Sequence, residues 1–346
     1  MLQWHDNNSV KYLLNLGNFN KVACFDIDHT IIKPKNNRKF PRGKDDWVFY
    51  YDNIIVEKLK ELSKEYNIIF FTNQSKLKEE VVEKIEDILN LLKLNISVFI
   101  SYKKDNFRKP CLGMWNLLQD NLDDINLSES FYCGDAAGRD KDFSDSDNAF
   151  AYNIGVKFYV PEQYFLKQEV IIPDKSNFDY DKYLTKKKIT LKKGKEKELI
   201  LMVGLPGCGK SYLSKQLGYE IINQDLLKTK KKCLKETEKL MKLGKSLIID
   251  NTNYNIDKRK EYIKLAKEYE YFIRCIIIDN PIEYCQHMNL FRSNYYKKKQ
   301  IPIVVYRTIN KYYQKPKKDE GIDKIEIITN KLKLNKDELK YYMYWY

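Results

Sequence analysis

Short unbroken apolar runs alternate along the chain with stretches whose apolar residues recur at helical spacing. Residues 22–25, 68–71, 96–100 and 131–133 are runs of the first kind and predict strands. Residues 54–65, 77–92 and 113–121 are of the second kind and predict helices between them. Strands that are apolar on both faces and separated by helices imply a parallel sheet covered on each side. The pattern then breaks. Residues 167–197 include Lys186-Lys187-Lys188 and Lys192-Lys193-Gly194-Lys195, show no clean period, and predict a linker. It restarts with strands at 199–203, 220–222, 247–249 and 272–278. The expected fold class is α/β, with two doubly wound parallel-sheet domains over residues 1–169 and 195–346, joined by a linker at 170–194. The tail Tyr341-Tyr342-Met343-Tyr344-Trp345-Tyr346 is too aromatic for a solvated end and is expected to pack back on the second domain.

A chain of 346 residues that is 43% hydrophobic can bury a core in each half. Its net charge of +14 favours a polyanionic partner, although the abundance of Lys, Asn, Ile and Tyr also fits a compositional bias. No apolar run is long enough to span a membrane, and the N-terminus lacks the regions of a signal peptide. Seven scattered cysteines without a CxxC pair point to free thiols in a reducing, intracellular compartment and against a structural zinc site.

Ligands of parallel sheets bind at the carboxyl ends of the strands, and in the first half chemistry-bearing residues gather there. Asp26-Ile27-Asp28-His29-Thr30 follows one predicted strand, Thr72 another, and Asp135 opens Gly134-Asp135-Ala136-Ala137-Gly138-Arg139 after a third; Arg108-Lys109-Pro110 lies between. Asp26 can attack phosphorus and form an aspartyl-phosphate. A second carboxyl, Asp28, can protonate the leaving oxygen and then activate water. Mg²⁺ would neutralise charge, with Asp26 and Asp135 as ligands. The Thr72 hydroxyl can hold a phosphate oxygen, and Lys109 offers it a point charge. The pentapeptide alone is compatible with an ordinary acidic loop; all four pieces in order are not.

These stretches resemble the haloacid-dehalogenase-like phosphatases, and more narrowly the phosphatase domain of the polynucleotide kinase 3′-phosphatase family. The likeness runs through 21–30, Phe40-Pro41 with Asp46-Trp47, 71–74, and 107–115 with Gly113-Met114-Trp115. It continues through 132–139 and Lys141-Asp142-Phe143-Ser144, and closes at Phe165-Leu166. It implies Asp26 as nucleophile, Asp26, Asp28 and Asp135 as metal ligands, and Thr72 and Lys109 as phosphate contacts. His29 stands where the family has Gly, and a short segment between Arg139 and Asp142 leaves the roles of Asp140, Asp142 and Asp147 open.

The second half opens with Gly204-Leu205-Pro206-Gly207-Cys208-Gly209-Lys210-Ser211 between a strand and a helical segment, the pattern of an ATP-cradling loop. Gly204, Gly207 and Gly209 let backbone N–H groups face phosphate oxygens, Lys210 reaches the β- and γ-phosphates, and Ser211 binds Mg²⁺. Cys208 is either a thiolate favoured by Lys210 or merely a small residue that fits. Downstream, Asp225 can take a proton from a hydroxyl nucleophile, Asp250 is placed like a Walker B acid, and Arg292 can close over the transferring phosphoryl. Taken singly, these would be two helix caps and a surface charge. Together with 297–302 they resemble the 5′-kinase domain of the same family, which implies Lys210 and Ser211 for ATP, Asp225 as general base and Arg292 as lid. Gln224 replaces the arginine that precedes the base in the family, and Lys228 is the nearby positive charge. No counterpart of the animal N-terminal phosphopeptide-binding domain is expected, since only about 20 residues precede the first predicted strand.

The expectation is a bifunctional enzyme of nucleic-acid ends with Mg²⁺ and ATP as cofactors. It would be a monomer without a membrane partner, acting on DNA ends before a ligase in strand-break repair. Three alternatives stay open: an RNA-end healing enzyme, a small-metabolite kinase fused to a phosphatase, and a binding scaffold with dead sites.

Overall fold

The computed structural model describes residues 2–36, 38, 41, 43–174, 179–187, 189–194 and 197–346. Phe40, part of the family likeness, and Lys188 and Lys195 of the basic stretch lie outside the described residues. The chain forms two compact units, Met1–Asn177 with Tyr344–Tyr346, and Phe178–Met343.

The first unit is built on strands β1 Trp4–Asp6, β2 Val10–Leu13, β3 Val22–Phe25, β4 Ile32–Lys33, β5 Val48–Phe49, β6 Asn67–Asn73, β7 Ile96–Ser101, β8 Phe131–Cys133 and β9 Lys157–Tyr159. Its helices are α1 Asn53–Leu62, α2 Glu79–Leu92, α3 Gly113–Gln119, α4 Ser146–Ile154 and α5 Pro161–Leu166. Seven strands make one sheet in the order β1-β2-β7-β6-β3-β8-β9, and β4 pairs with β5 separately. From β7 to β9 the pairing is parallel, as the doubly apolar strands require. The N-terminal segment departs from the expectation: β1 and β2 form an antiparallel hairpin added to β7 before the first predicted strand. β1, at the sheet edge, is largely exposed as an edge position allows, and the hairpin carries no long apolar run to announce it. Two apolar layers cover the sheet, one holding Phe25, Ile68, Phe70 and Ile85, the other Cys24, Phe71, Trp115 and Phe150.

The second unit has a wholly parallel sheet in the order β11-β12-β10-β13-β14, from β10 Glu198–Val203, β11 Glu220–Ile222, β12 Leu247–Ile249, β13 Phe272–Ile278 and β14 Lys324–Ile328. Helices α6 Lys210–Ser214, α7 Gln224–Leu227, α8 Lys230–Lys242, α9 Ile256–Glu268, α10 Ile282–Tyr296, α11 Ile303–Lys311 and α12 Lys336–Tyr342 connect and cover it. β14 escapes the sequence pattern because charged residues interrupt it, as suits an edge strand.

The aromatic tail corrects the expectation in part. Tyr342 is buried in the second unit, where its hydroxyl donates to the Tyr180 carbonyl at 2.8 Å. Trp345 belongs to the first: its N–H donates to Asn153 Oδ1 (2.7 Å), its carbonyl accepts from Asn153 Nδ2 (2.7 Å), and its indole N–H donates to Asp145 Oδ2 (3.0 Å). A buried asparagine on α4 with both amide atoms to satisfy favours a backbone pair over solvent. No helix among the described residues is long and apolar enough to cross a membrane, and all seven cysteines are free and buried.

Candidate active sites

In the first unit, β3 and β8 are neighbours in the sheet and end at one edge of it. The β3 ladder continues one step past the strand, the Asp26 N–H donating to the Cys133 carbonyl at 2.9 Å. This sets Asp26 beside Asp135, which follows β8. Asp147, in the first turn of α4, completes the group: one carboxylate oxygen from each of Asp26, Asp135 and Asp147 lies within 4.8 Å of the others. Gly134 has no side chain for a physical reason, since a Cβ there would stand 2.5 Å from the Asp147 carboxylate.

Lys109 holds this cluster together. Its buried ammonium meets Asp26 Oδ1 at 2.6 Å, Asp147 Oδ1 at 2.7 Å, the Phe71 carbonyl at 2.8 Å and the Tyr132 hydroxyl at 2.8 Å. Tyr132 in turn donates to Asp147 Oδ1 at 3.1 Å. Asn73 fixes the Lys109 backbone, accepting from its N–H (3.0 Å) and donating to its carbonyl (3.1 Å). All the hydrogens of this ammonium face protein oxygens. The carboxyls nevertheless outnumber the lysine. Burial, with Asp147 adding to it against the pull of Lys109, pushes Asp26 up to about 7. Burial and then the Asp26 charge push Asp135 up to about 9. Three clustered carboxylate donors, two of them held reluctantly ionised, suit a hard divalent cation such as Mg²⁺.

Asp28 stands apart from this cluster. Expected among the metal ligands, it has its carboxylate elsewhere: Oδ1 accepts from Lys84 Nζ on α2 and Oδ2 from Gln74 Nε2, both at 2.9 Å. Asp147 stands in the carboxylate cluster in its stead. Thr72 is buried, and its hydroxyl accepts from the same Gln74 amide at 3.0 Å. Asp142 pairs with Arg139 (2.8 Å) and accepts from the Ala137 and Arg139 N–H groups, so it shapes the loop, while Asp140 is exposed. His29 has φ +63°, a left-handed backbone that explains why glycine suits this position. Asp147, Lys84, Gln74 and Tyr132 were not among the expected site residues. Lys84 does leave a trace in the sequence, a lone cation in the apolar stripe of Val81, Ile85 and Ile88.

In the second unit the glycine-rich loop joins β10 to α6. Gly207 (φ +84°) and Gly209 (φ +101°) are obligatory: a Cβ would stand 2.4 Å from the Cys285 carbonyl oxygen or 2.1 Å from Asn330 Nδ2. Gly204 is as tight, 2.8 Å from Cys208 Sγ. Lys210 Nζ donates to the carbonyls of Gly204 (2.9 Å) and Leu205 (2.7 Å). Cys208 is fully buried, its carbonyl accepting from Asn330 Nδ2 and its Sγ 3.7 Å from Lys210 Nζ.

A cavity of about 740 Å³ opens beside the loop, and Lys210, Ser211, Asp225, Asp250 and Arg292 all line it. The capping alternatives fall away. Asn223 caps α7, its Oδ1 accepting from the Asp225 (2.8 Å) and Leu226 (3.4 Å) N–H groups, and Asn255 caps α9. Asp225 thus keeps an exposed carboxylate, and Asp250 a buried Oδ1 without a hydrogen-bond partner among the described residues. An orphaned buried carboxylate oxygen near Ser211 fits a hydrated cation accompanying a nucleotide. Gln224 is exposed, and Lys228 donates to the Asp225 carbonyl at 2.8 Å.

Comparison with known proteins decides the family. The model of the polynucleotide kinase 3 phosphatase family matches residues 21–165, and that of an AAA domain matches residues 228–316. A bifunctional polynucleotide phosphatase/kinase of Schizosaccharomyces pombe is 36% identical over 364 residues, covering 100% of this chain and 88% of that protein. The chain belongs to the bifunctional polynucleotide phosphatase/kinase family. A second member, described as a putative bifunctional polynucleotide phosphatase/kinase of Acanthamoeba polyphaga mimivirus, is 35% identical, covering 89% of this chain and 84% of that one. A polynucleotide 3′-phosphatase of Saccharomyces cerevisiae covers only 42% of the chain, at 32% identity. The chain therefore carries a phosphatase domain and a kinase domain, each with a carboxylate-bearing site at the strand ends.

Proposed function

We propose that this enzyme removes 3′-phosphates from nucleic-acid ends in its first unit and phosphorylates 5′-hydroxyls with ATP in its second, with DNA ends as substrate. In the first reaction Asp26 attacks phosphorus, the P–O bond to the 3′ oxygen breaks, and Asp28 gives that oxygen its proton. Asp28 then takes a proton from the water that hydrolyses the aspartyl-phosphate. Thr72 holds a phosphate oxygen, and Lys109 keeps Asp26 ionised and aimed. Mg²⁺, held by Asp26 and Asp135 with Asp147 beside them, would supply charge neutralisation.

In the second reaction Asp225 removes the proton of the 5′-hydroxyl, Lys210 steadies the transferring phosphoryl, and Arg292 covers it. Ser211 and Asp250 would hold Mg²⁺ with the nucleotide. The observation that carries the kinase reading is the shared cavity, which presents the loop lysine and the unshielded Asp225 carboxylate to one space. The net charge of +14 supports a polyanionic substrate, and the products, 5′-phosphate and 3′-hydroxyl, are the ends a ligase joins.

The test is turnover of matched DNA and RNA oligonucleotides bearing 3′-phosphate or 5′-hydroxyl ends, with ATP and Mg²⁺. Both reactions should proceed, faster on DNA. Faster turnover of RNA would move the assignment to RNA-end healing. Preference for free sugars or nucleotides over oligonucleotides would refute it.

A further inference from the structure

Helix α2 packs Ile85, Ile88, Leu89 and Leu92 against the sheet, and Lys84 sits on the same buried face. A lysine rarely stays there unless its charge is matched. Its match is Asp28: Nζ lies 2.9 Å from Oδ1, with the Lys84 side chain 7% exposed and that of Asp28 17%. The second carboxyl oxygen is held independently, by Gln74 from the end of β6, and the same amide reaches Thr72 Oγ1. Both oxygens of Asp28 are therefore fixed, one from a helix and one from a strand. Lys109 cannot share this task, because its hydrogens are spent on Asp26, Asp147, Phe71 and Tyr132.

We propose that Lys84 is a positioning residue of the phosphatase reaction, which with Gln74 aims the Asp28 carboxyl at the oxygen leaving phosphorus. The inference rests on the reading of Asp28 as the group that protonates that oxygen. An aspartate has two rotatable side-chain bonds, and a displacement of about 1 Å at a reacting group costs up to about 100-fold in rate. Without the Lys84 leg the carboxyl can turn away while Asp26 still attacks. The loss should then fall on substrates whose leaving oxygen needs a proton, and spare those whose leaving group departs as an anion.

The experiment compares kcat/KM of the full chain on a 3′-phosphorylated oligonucleotide and on p-nitrophenyl phosphate. The first has a basic alkoxide leaving group and the second a weakly basic aryl one; kcat/KM reports transfer to Asp26, before hydrolysis. Asp28→Asn should lose on the order of 100-fold or more on the oligonucleotide and far less on the aryl ester. Lys84→Met should reproduce that imbalance at about 10–100-fold, and Lys84→Arg should restore it toward balance. Gln74→Ala, which removes the other leg without stranding a buried charge, should show the same imbalance to a smaller degree, and serves if Lys84→Met folds poorly. Equal losses of Lys84→Met on both substrates, or a flat ratio in Gln74→Ala, would overturn the positioning role while an imbalance in Asp28→Asn leaves the acid assignment standing. No imbalance in Asp28→Asn would overturn both.

Discussion

Replacing Lys109 by methionine keeps most of the side-chain volume and removes one charge from the centre of the phosphatase site. Two ion pairs, at 2.6 Å to Asp26 and 2.7 Å to Asp147, are lost with it, at a position where the lysine and Asp147 side chains are each 2% exposed. Three carboxyls would then face one another within 4.8 Å without a cation. Breaking a buried pair from one side costs about 3–5 kcal/mol, because the stranded charge stays behind. In a unit of this size that lowers the melting temperature by roughly 6–20 °C. Calorimetry of the full chain in EDTA, scanned for both units, measures it: the phosphatase unit should melt early and the kinase unit should not move. The defect should shrink at acid pH, where the stranded carboxyls can take up protons, and on adding Mg²⁺. Asp147→Asn in the Lys109→Met background should cost less than in the parent protein, since the two residues belong to one network. A shift below about 2 °C in Lys109→Met would refute the view that the lysine holds the cluster together.

The two activities should separate: Asp26→Ala abolishes 3′-phosphate removal and leaves the kinase intact, while Asp225→Asn lowers kinase turnover by about 10²–10⁴-fold with ATP binding retained. Loss of both activities in a folded Asp26→Ala protein would argue for one composite site. In EDTA, the phosphatase unit should lose stability as pH rises. Asp26 and Asp135 have folded pKa values of about 7 and about 9 against 3.8 for the free side chain. The folded state thus holds their protons more tightly, and the penalty grows from about pH 4 and is complete above about pH 9. Mg²⁺ should cancel it, so melting temperatures that are flat with pH in EDTA would count against strained carboxyls. Finally, KM for oligonucleotides should rise steeply between ~50 and ~200 mM salt, because phosphate contacts release counterions; a flat response would indicate a small substrate.

The core strands of both sheets were legible because each is apolar on both faces, and the loop glycines because phosphate cradles admit little else. Asp26, Asp135 and Asp225 were singled out by their places after those strands, and Lys210 by the loop pattern itself. What stayed hidden depends on side chains that meet across long separations. Nothing local distinguishes Asp147 from Asp145, yet only Asp147 reaches Lys109, 38 residues away in sequence. Asp28 was assigned to the metal through the family likeness, and its carboxylate is paired with the amine of Lys84 from a helix 56 residues on. The edge strands β1 and β14, and β2 beside the first of them, were illegible for the opposite reason, since partial exposure relaxes the demand for apolar residues.

The continuation of the β3 ladder into Asp26 makes the sheet a ruler for the chemistry. Neighbouring strands lie about 4.8 Å apart because backbone hydrogen bonds fix that spacing, and Asp26, the first residue beyond β3, and Asp135, the second beyond β8, leave strands held at that spacing. The points at which both leave the sheet are therefore set by main-chain geometry and depend little on which apolar side chains fill the layers beneath. Core residues such as Cys24 and Cys133 can drift in identity without moving those exit points. Asp147 rides on a helix and has no such guarantee, so errors in packing α4 against the sheet are the ones this site would register first.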